Sequence, residues 1–479
     1  MSLSFKKNTT KGFLWNSVNQ FGNQGANFIF SIVLARLLGP EEYGLIAMVT
    51  IFTSLLGVIT NFGFGLAAIQ RDNTSNNEWS TLFFLNFLFG IFSASTLFFF
   101  STSIGKFYDK EILVGISKFL AIGLILSPLS IVPKTKLIKK IDYKSISIAT
   151  IISTTLSGAV GVLLALNDFG VYSLVYQRIL NYLLNLIGLW VFNKFWIPSL
   201  TFSIAFIKEI FSFSFYTFLS GILSFATRNT DNLLIGKFIG DKELGEYNRA
   251  YSFLMFPINM ISRVITSVLF PSYSQIKTDL KKISSSFISI SLITAFTTIP
   301  IMSVFFLSAH EIVLIIFGKQ WISIAYLIKL FCLIGVYQSV LSLNGPIYIA
   351  LGYVKLDLKI SLFTEVIIIS SILIGVRWGV EGVITSLYVA ALINFFPSNY
   401  FILKKIGLSI VSYYSIFIKN IILSSTIIIV VYFSFQQVPF ENIFLLFTLK
   451  SLLFTILYLL THIFLKTKEL KLLIKYKPF

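Results

Sequence analysis

Long apolar runs separated by short polar connections make up most of the chain. A helix that crosses the hydrocarbon core of a bilayer needs about 20 apolar residues, because each residue adds about 1.5 Å along the helix. Fourteen segments meet this requirement, and the pattern therefore predicts an all-α polytopic membrane protein with about fourteen transmembrane helices. The predicted spans are 12–36, 43–65, 80–103, 112–133, 145–166, 171–192, 211–236, 246–270, 283–308, 320–350, 358–376, 380–403, 415–435 and 443–465.

Two short internal sequence repeats, which we call echoes, divide the series of predicted helices into halves. Residues 36–44 (RLLGPEEYG) and 237–245 (KFIGDKELG) share a basic residue, two glycines and a glutamate at positions 201 residues apart. FGV at 169–171 recurs as WGV at 378–380. Because six helices are an even number, two six-helix copies have the same orientation and surround an axis along the membrane normal. We therefore predict an N-terminal six-helix lobe (1–205), a C-terminal six-helix lobe (206–405) and a segment with two extra helices and a basic cytoplasmic tail (406–479).

Polar side chains cluster on one face of several predicted spans. Six amides of the first span fall within an arc of about 140°; they are Asn16, Asn19, Gln20, Asn23, Gln24 and Asn27. Four polar residues of the sixth span fall within about 100°; they are Gln177, Arg178, Asn181 and Asn185. Lipid cannot satisfy these groups, so they face either a watery cavity or neighbouring helices as interhelical hydrogen bonds. For six amides on one face we favour the cavity.

Composition narrows the class of protein. The chain is 56% hydrophobic and 12% charged, with a mean hydropathy of +0.85, and a soluble protein would carry roughly twice that charged fraction. The excess of 38 Lys and Arg over 20 Asp and Glu is concentrated in the loops and tails on the side of the two termini. The positive-inside rule predicts that both termini are cytoplasmic, and nucleic acid is not needed to explain the charge. With one cysteine and two histidines, we expect no metal site, cofactor or catalytic centre.

The charges inside the spans indicate the substrate class. We place Arg178, Arg228, Arg263 and Lys329 within spans and Arg249 near the outer end of the eighth, against only Asp231 and Glu365. Each charge costs about 2.5–3.5 kcal/mol at the centre of a lone inserted helix. An anionic substrate would neutralise the excess, and the planar fork of arginine suits phosphate. An ion pair between Arg228 and Asp231, one turn apart, is a compatible alternative. Lys329 and Lys450 are weaker candidates, because a lysine can extend toward the interface.

Five motifs resemble those of bacterial polysaccharide flippases, the exporters of lipid-linked O-antigen, capsule and teichuronic acid repeat units. The resemblance covers residues 10 to about 400, although no single motif is diagnostic. The motifs are LARLLGPEEYG (34–44), NFGFG (61–65), RNTDNLLIG (228–236), LGEYNRAY (244–251) and LFPSYS (269–274). This family belongs to a superfamily that includes multidrug antiporters and the peptidoglycan-precursor flippase. The resemblance implies two six-helix lobes that form a V around a central cavity.

The resemblance also implies a function. We expect a flippase that moves undecaprenyl-diphosphate-linked oligosaccharide across the cytoplasmic membrane by alternating access, without enzymatic activity. Its partners would be that lipid, membrane lipids, and a polysaccharide polymerase with its chain-length machinery. The substrate-binding residues are expected to be arginines and Asp231 for the anionic part and amides for the sugars: Arg178, Arg228, Asp231, Arg249, Arg263, Asn16, Gln20, Asn23 and Asn27. Asp231 and Glu365 are the candidates for coupling to H⁺ or Na⁺.

Three other functions remain open from the sequence. A multidrug or cation antiporter would favour a cavity rich in carboxylates, whereas arginine dominates here. A membrane-embedded polysaccharide polymerase needs a catalytic carboxylate or another base, and the predicted outer loops are short and contain few acids. A structural scaffold would have no use for two polar repeats.

Overall fold

The computed structural model describes residues 3–71, 73–275, 279–436 and 441–475. Within those ranges, side chains are described except at 3–13, 227, 261–272, 274–275, 349, 354 and 473–475. Every long element in the described residues is an α-helix. The multi-pass all-α fold predicted from the apolar runs is therefore confirmed.

Each of the fourteen predicted spans coincides with a helix of at least 18 residues. We number these helices α1 (Leu3–Leu37), α2 (Pro40–Thr60), α3 (Asn76–Tyr108), α4 (Ile112–Leu129), α5 (Tyr143–Leu166), α6 (Val171–Phe192), α7 (Ile204–Phe238), α8 (Asp241–Gln275), α9 (Leu280–Leu307), α10 (Ile324–Leu341), α11 (Val354–Gly375), α12 (Gly379–Lys405), α13 (Ile410–Gln436) and α14 (Ile443–Phe464). Five short helices are named by their residues: Phe64–Gln70, Ile131–Lys139, Ala309–Ile316, Asn344–Ala350 and Lys468–Lys475.

Ten segments in the described part of the chain are long and apolar enough to cross a membrane, judged by length and composition. One of them, Lys355–Lys405, contains most of α11 and all of α12. Helices α1, α6 and α8 are not among the ten. The polar residues on the faces of α1 and α6 lower their hydropathy, and residues 261–272 of α8 lie outside the described side chains. Crossing of the membrane by all fourteen helices stays a prediction.

The helix boundaries follow the repeat seen in the sequence. α1 ends at Leu37 and α7 ends at Phe238, while α2 begins at Pro40 and α8 begins at Asp241, so both boundaries keep the offset of 201. At the second echo, Gly170 (φ +52°) precedes α6 and Gly379 (φ +74°) opens α12. Glycine adopts this left-handed region without the strain that a Cβ would add. The two echoes therefore mark equivalent helix starts.

The chain forms two compact units, Met1–Gly245 and Glu246–Phe479. The first unit contains α1 to α7 and the first turn of α8. Its last long helix, α7, packs against α2: a Cβ on Gly221 would lie 2.9 Å from Val58 Cγ1. The predicted lobe boundary at 205/206 differs from this unit boundary and stays a prediction.

The second unit contains the rest of α8 and helices α9 to α14. Helix α13 packs against α9 and α14 around a core of Phe296, Leu307, Ile427, Val431, Phe454 and Tyr458. The two C-terminal helices are therefore built into the core of this unit.

Candidate functional site

The first unit contains a cavity of about 720 Å³, which we call the hydroxyl cavity. Helices α2, α4 and α6 and the short helices Phe64–Gln70 and Ile131–Lys139 line it. The polar side chains of its lining are Thr50, Thr53, Ser54, Thr60, Asn61, Ser127, Ser130, Lys134, Thr135, Arg178 and Tyr182. Among these lining residues there are two cations and no carboxylate. The cavity is therefore suited to a polar ligand that carries negative charge.

Arg178 is the predicted site residue that the structure places in this cavity. It lies two turns into α6, is half-buried, and donates a hydrogen bond from Nη1 to Thr50 Oγ1 at 2.6 Å. Thr50 in turn donates to the backbone oxygen of Ile46 at 2.6 Å. This chain of two hydrogen bonds fixes the guanidinium on α2. Because a guanidinium has five N–H donors, Arg178 retains capacity to bind an anion.

The second cation, Lys134, lies at the other end of the hydroxyl cavity. It belongs to the short helix Ile131–Lys139, in which Thr135 faces Gly65 just beyond the end of α2. Thr50 and Thr60 are ten residues apart on α2, which corresponds to about 15 Å along the helix axis. Hence the two cations lie near opposite ends of the cavity, with hydroxyl groups between them.

Several of the predicted polar residues of α1 and α6 meet in a seam between helices. Asn23 Oδ1 accepts from Thr154 Oγ1 of α5 at 2.7 Å and from Asn27 Nδ2 at 3.1 Å. On α6, Asn181 and Asn185 donate to hydroxyl groups of the same α5 face at 3.2–3.4 Å. We call Asn23, Asn27, Thr154, Asn181 and Asn185 the amide seam. The bonds to α5 are the interhelical hydrogen bonds that the sequence left as the alternative for α1, whereas the bond between Asn27 and Asn23 lies within α1.

The other two α1 candidates lie nearer the start of the helix. Asn16 is half-buried and Gln20 is exposed. The sugar contacts expected of Asn16, Gln20, Asn23 and Asn27 stay a prediction.

Helix α7 carries the predicted pair Arg228 and Asp231. The Arg228 side chain is exposed, and Asp231 is half-buried with Oδ1 accepting from the backbone N–H of Asn232 at 2.7 Å. The ion pairs of the described residues do not include one between Arg228 and Asp231. Arg228 is therefore accessible to an anion.

The remaining predicted charges belong to the second unit. Arg249 on α8 and Glu365 on α11 are half-buried. The side chain of Arg263 lies outside the described residues. Lys450 of α14, a weaker candidate, forms an ion pair with Glu311 at 2.6 Å, and both side chains are largely buried. That pair joins α14 to the short helix Ala309–Ile316, so Lys450 has a structural partner.

A second notable feature of the first unit is a close backbone contact, which we call the glycine clasp. A Cβ on Gly44 of α2 would overlap the backbone oxygen of Asp241, and a Cβ on Gly245 would overlap the backbone oxygen of Pro40. Gly44 and Gly245 are repeat equivalents, as are Pro40 and Asp241, so the contact is reciprocal. Small residues of this kind allow two helices to approach backbone to backbone.

Two ion pairs flank the glycine clasp. Lys110 Nζ lies 2.9 Å from Asp241 Oδ2, and Lys237 Nζ lies 3.3 Å from Asp109 Oδ2. The hydrogen bond that Lys110 donates to Asp241 raises the pKa of the amine, and nearby carboxylates, including Glu41, raise it further. Lys110 therefore stays charged at physiological pH. Both pairs connect the end of α3 to the α7–α8 junction.

The sequence interpretation missed Lys134 and the hydroxyl residues of the cavity. Thr50, Thr53, Ser54 and Thr60 of α2 fall within an arc of about 120° at 100° per residue. The same angular test that found the amides of α1 would have found these residues if hydroxyl groups had been included. Lys134 could not be found by its position on a helix face. A lysine next to a membrane span is ordinarily explained by the orientation of the protein in the membrane.

Comparison with known proteins identifies the family. Residues 33–326 match the model of the Polysaccharide biosynthesis protein family, and the chain belongs to that family. It is 25% identical over 433 residues to the teichuronic acid biosynthesis protein TuaB of Bacillus subtilis (strain 168), covering 90% of this chain and 89% of that protein. It is 24% identical over 410 residues to the lipopolysaccharide biosynthesis protein WzxC of Escherichia coli (strain K12), covering 84% and 82%.

Three further comparisons concern one transport protein and two solved structures. The chain is 26% identical over 318 residues to the succinoglycan biosynthesis transport protein ExoT of Rhizobium meliloti (strain 1021), covering 66% of this chain and 64% of that protein. Its fold is similar to that of the lipid II flippase MurJ in an inward closed conformation, with a TM-score of 0.74 and 15% identity over 95% of this chain and 99% of that one. An inward-facing multidrug transporter of the MATE family has a TM-score of 0.62 at 14% identity, over 82% and 99%. Both solved structures are similar to this chain in fold.

Proposed function

We propose that this protein is a flippase that translocates polyprenyl-diphosphate-linked oligosaccharide across the bacterial cytoplasmic membrane for the assembly of a surface polysaccharide. The observation that carries this proposal is the hydroxyl cavity, with Arg178 fixed at one end and Lys134 at the other. Arg178 has free donors for a phosphate group, and the hydroxyl groups between the cations offer hydrogen bonds to sugars. The names of the relatives support the same class of substrate.

The charge of the cavity argues against the principal rival. A cation antiporter would bring a positive substrate against Arg178 and Lys134, with no carboxylate among the lining residues to offset them. A polymerase would require a base placed at a reacting bond, which the same lining residues do not supply. The proposed activity is transport, in which no covalent bond is made or broken.

The proposed orientation places both termini in the cytoplasm. The hydroxyl cavity then extends toward the cytoplasmic end of α2, and the glycine clasp closes the outer end. Substrate would enter from the cytoplasm, and the clasp would separate for release outside. Reporter fusions after Lys140 should read cytoplasmic and fusions at Asp109 should read external; the reverse pattern would invert the proposed direction.

Further partners and couplings follow from this proposal. A polysaccharide polymerase and its chain-length machinery would use the exported lipid-linked units on the outer side. Arg228, Arg249 and Arg263 are proposed as additional contacts for the diphosphate or for acidic sugars. Asp231 and Glu365 are proposed as the residues that couple transport to H⁺ or Na⁺.

Purified protein in vesicles tests the function directly. Vesicles would contain undecaprenyl-diphosphate-linked oligosaccharide extracted from the producing strain, and a membrane-impermeant glycosidase would report the sugar on the outer leaflet. We expect the protein to raise the accessible fraction beyond the half that protein-free vesicles expose. An unchanged fraction, together with uptake of a cationic dye against a proton gradient, would favour the antiporter instead.

A further inference from the structure

Four hydroxyl groups of the cavity wall donate their protons to backbone oxygens of their own helices or turns. Thr53 donates to the backbone oxygen of Thr50 at 3.1 Å and Thr60 to that of Gly57 at 3.0 Å. On the facing elements, Ser130 donates to the backbone oxygen of Ser127 at 2.6 Å, and Thr135 to that of Ile131 at 2.7 Å. A hydroxyl group has one donor and two acceptor lone pairs. Thr53, Thr60, Ser130 and Thr135, which we call the acceptor wall, therefore offer acceptors to the cavity.

An acceptor wall discriminates between the two parts of the proposed substrate. Phosphate oxygens are acceptors themselves and would find no donor there unless a hydroxyl gave up its intrahelical bond. Sugar hydroxyl and acetamido groups carry O–H and N–H donors and fit the wall directly. The cations Arg178 and Lys134 at the two ends supply what the wall lacks. The acceptor wall and the two cations thus differ in hydrogen-bonding character.

The volume agrees with an occupant larger than a phosphate group. At about 30 Å³ for each water molecule, 720 Å³ corresponds to about 24 waters. A single diphosphate would leave most of this space as solvent. A short oligosaccharide would fill it along the roughly 15 Å between Thr50 and Thr60.

We propose that the acceptor wall is the carbohydrate subsite of this protein, with the diphosphate held at the Arg178 end. The proposal rests on the proposed function and names the residues that contact the sugar. In this proposal the main sugar contacts lie on the acceptor wall and not on α1, because Asn23 and Asn27 already form hydrogen bonds within the amide seam. The wall would favour glycans rich in free hydroxyl or acetamido donors.

The test is a comparison of two lipids bound by the purified protein. One is sugar-free undecaprenyl diphosphate, and the other is the oligosaccharide-linked form from the producing strain. The test variant is Thr53→Val/Thr60→Val/Thr135→Val, which keeps the side-chain shape and removes three of the four acceptors. Thr96→Val is the control, because Thr96 also donates to its own helix, at Phe92 O (2.8 Å), and does not line the hydroxyl cavity.

We expect the triple variant to bind the oligosaccharide-linked lipid about tenfold or more weakly than the wild-type protein does, since several hydrogen bonds are lost. Its Kd for the sugar-free lipid should stay within about twofold, whereas Arg178→Gln should weaken both lipids. Unchanged binding of the oligosaccharide-linked lipid, or an equal loss for both lipids, would overturn the subsite. If the wild-type protein binds neither lipid, the proposed function itself fails, which is a distinguishable result.

Discussion

The glycine clasp and the hydroxyl cavity lie on the same helix but are built in opposite ways. At the start of α2, Gly44 meets the backbone of Asp241 so closely that a single methyl group has no space. Beginning at Thr50, the same helix lines a cavity of about 720 Å³. Backbone contact and ion pairs lie at the first end of α2, whereas hydroxyl groups and two cations line the cavity along the rest of the helix. In the proposed flippase, this difference would suit a helix whose outer end closes against a neighbour and whose cytoplasmic end contacts the substrate.

Substitutions at the glycine clasp and in the hydroxyl cavity should therefore affect the protein in different ways. Substitutions at the clasp should act through geometry, because backbone atoms cannot move aside without shifting a helix. Substitutions in the cavity should act through ligand chemistry and leave the fold intact.

Among substitutions outside the hydroxyl cavity, alanine at either clasp glycine should have the largest effect. In Gly44→Ala or Gly245→Ala the new methyl would overlap a backbone oxygen, and overpacking of this kind costs about 1–3 kcal/mol or more, roughly 5- to 150-fold in population. We expect export to fall toward the upper end of that range. Disulfide cross-linking between cysteines at Lys110→Cys and Asp241→Cys should fall in parallel.

The control for the clasp is Gly25→Ala in α1, where a Cβ would meet nothing within 4 Å. That variant should export and cross-link like the parent protein. Normal export by Gly44→Ala and Gly245→Ala would contradict a functional clasp.

The next effect concerns Arg228, which is exposed on α7. Arg228→Ala should lower export about tenfold or more at normal membrane levels, because a charge-assisted bond to an anion is lost. Arg228→Lys should recover part of it, since lysine keeps the charge without the fork. Restored export in Arg228→Ala/Asp231→Ala would instead show that Arg228 serves only to balance Asp231.

The smallest effect should come from the ion pairs beside the clasp. Lys110 is 44% exposed in its pair with Asp241, and such surface pairs contribute about 0–1 kcal/mol. Lys110→Ala should therefore reduce export by no more than about fivefold, and the exchange Lys110→Asp/Asp241→Lys should restore it. Because the pKa of Lys110 is raised, the contribution of its charge is complete below the ordinary lysine pKa and is lost only above it. The effect should therefore not vary across the physiological pH range.

A matched control for the ion pair is Lys282→Ala. Lys282 pairs with Asp279 at 3.2 Å across one helical turn and is 72% exposed. It should export normally. A loss in Lys282→Ala equal to that in Lys110→Ala would show that the effect is one of overall charge and not of the clasp.

The sequence was sufficient for the helices and for the repeat. Span-length apolar runs placed all fourteen helices, and the glycine echoes located equivalent helix starts, because both depend on local physics: bilayer thickness and backbone conformation. The clasp lay within the first echo, yet its function as a contact was not evident. The residue type alone does not show whether a glycine contacts a backbone, a lipid or a cavity.

The candidate site was predictable only in part. Arg178 followed from the cost of burying a charge in a membrane, and it lines the hydroxyl cavity. Asn23 and Asn27 belong to a polar face whose partners cannot be read from one helix, and those partners are on α5 and within α1. Lys134 and the acceptor wall come together only when separate segments of the chain pack against one another. The periodicity of a single helix does not predict that packing.

The most direct test of the central claim is the rate at which Arg178 variants expose lipid-linked oligosaccharide in the vesicle assay. We expect Arg178→Gln to abolish the protein-dependent rate and Arg178→Lys to retain a fraction of it, while both keep the melting temperature of the parent protein. Thr50→Val should give a smaller decrease, because it frees the guanidinium from α2 without removing its charge. If Arg178→Gln flips the lipid at the wild-type rate, the hydroxyl cavity does not hold the diphosphate, and the account is wrong.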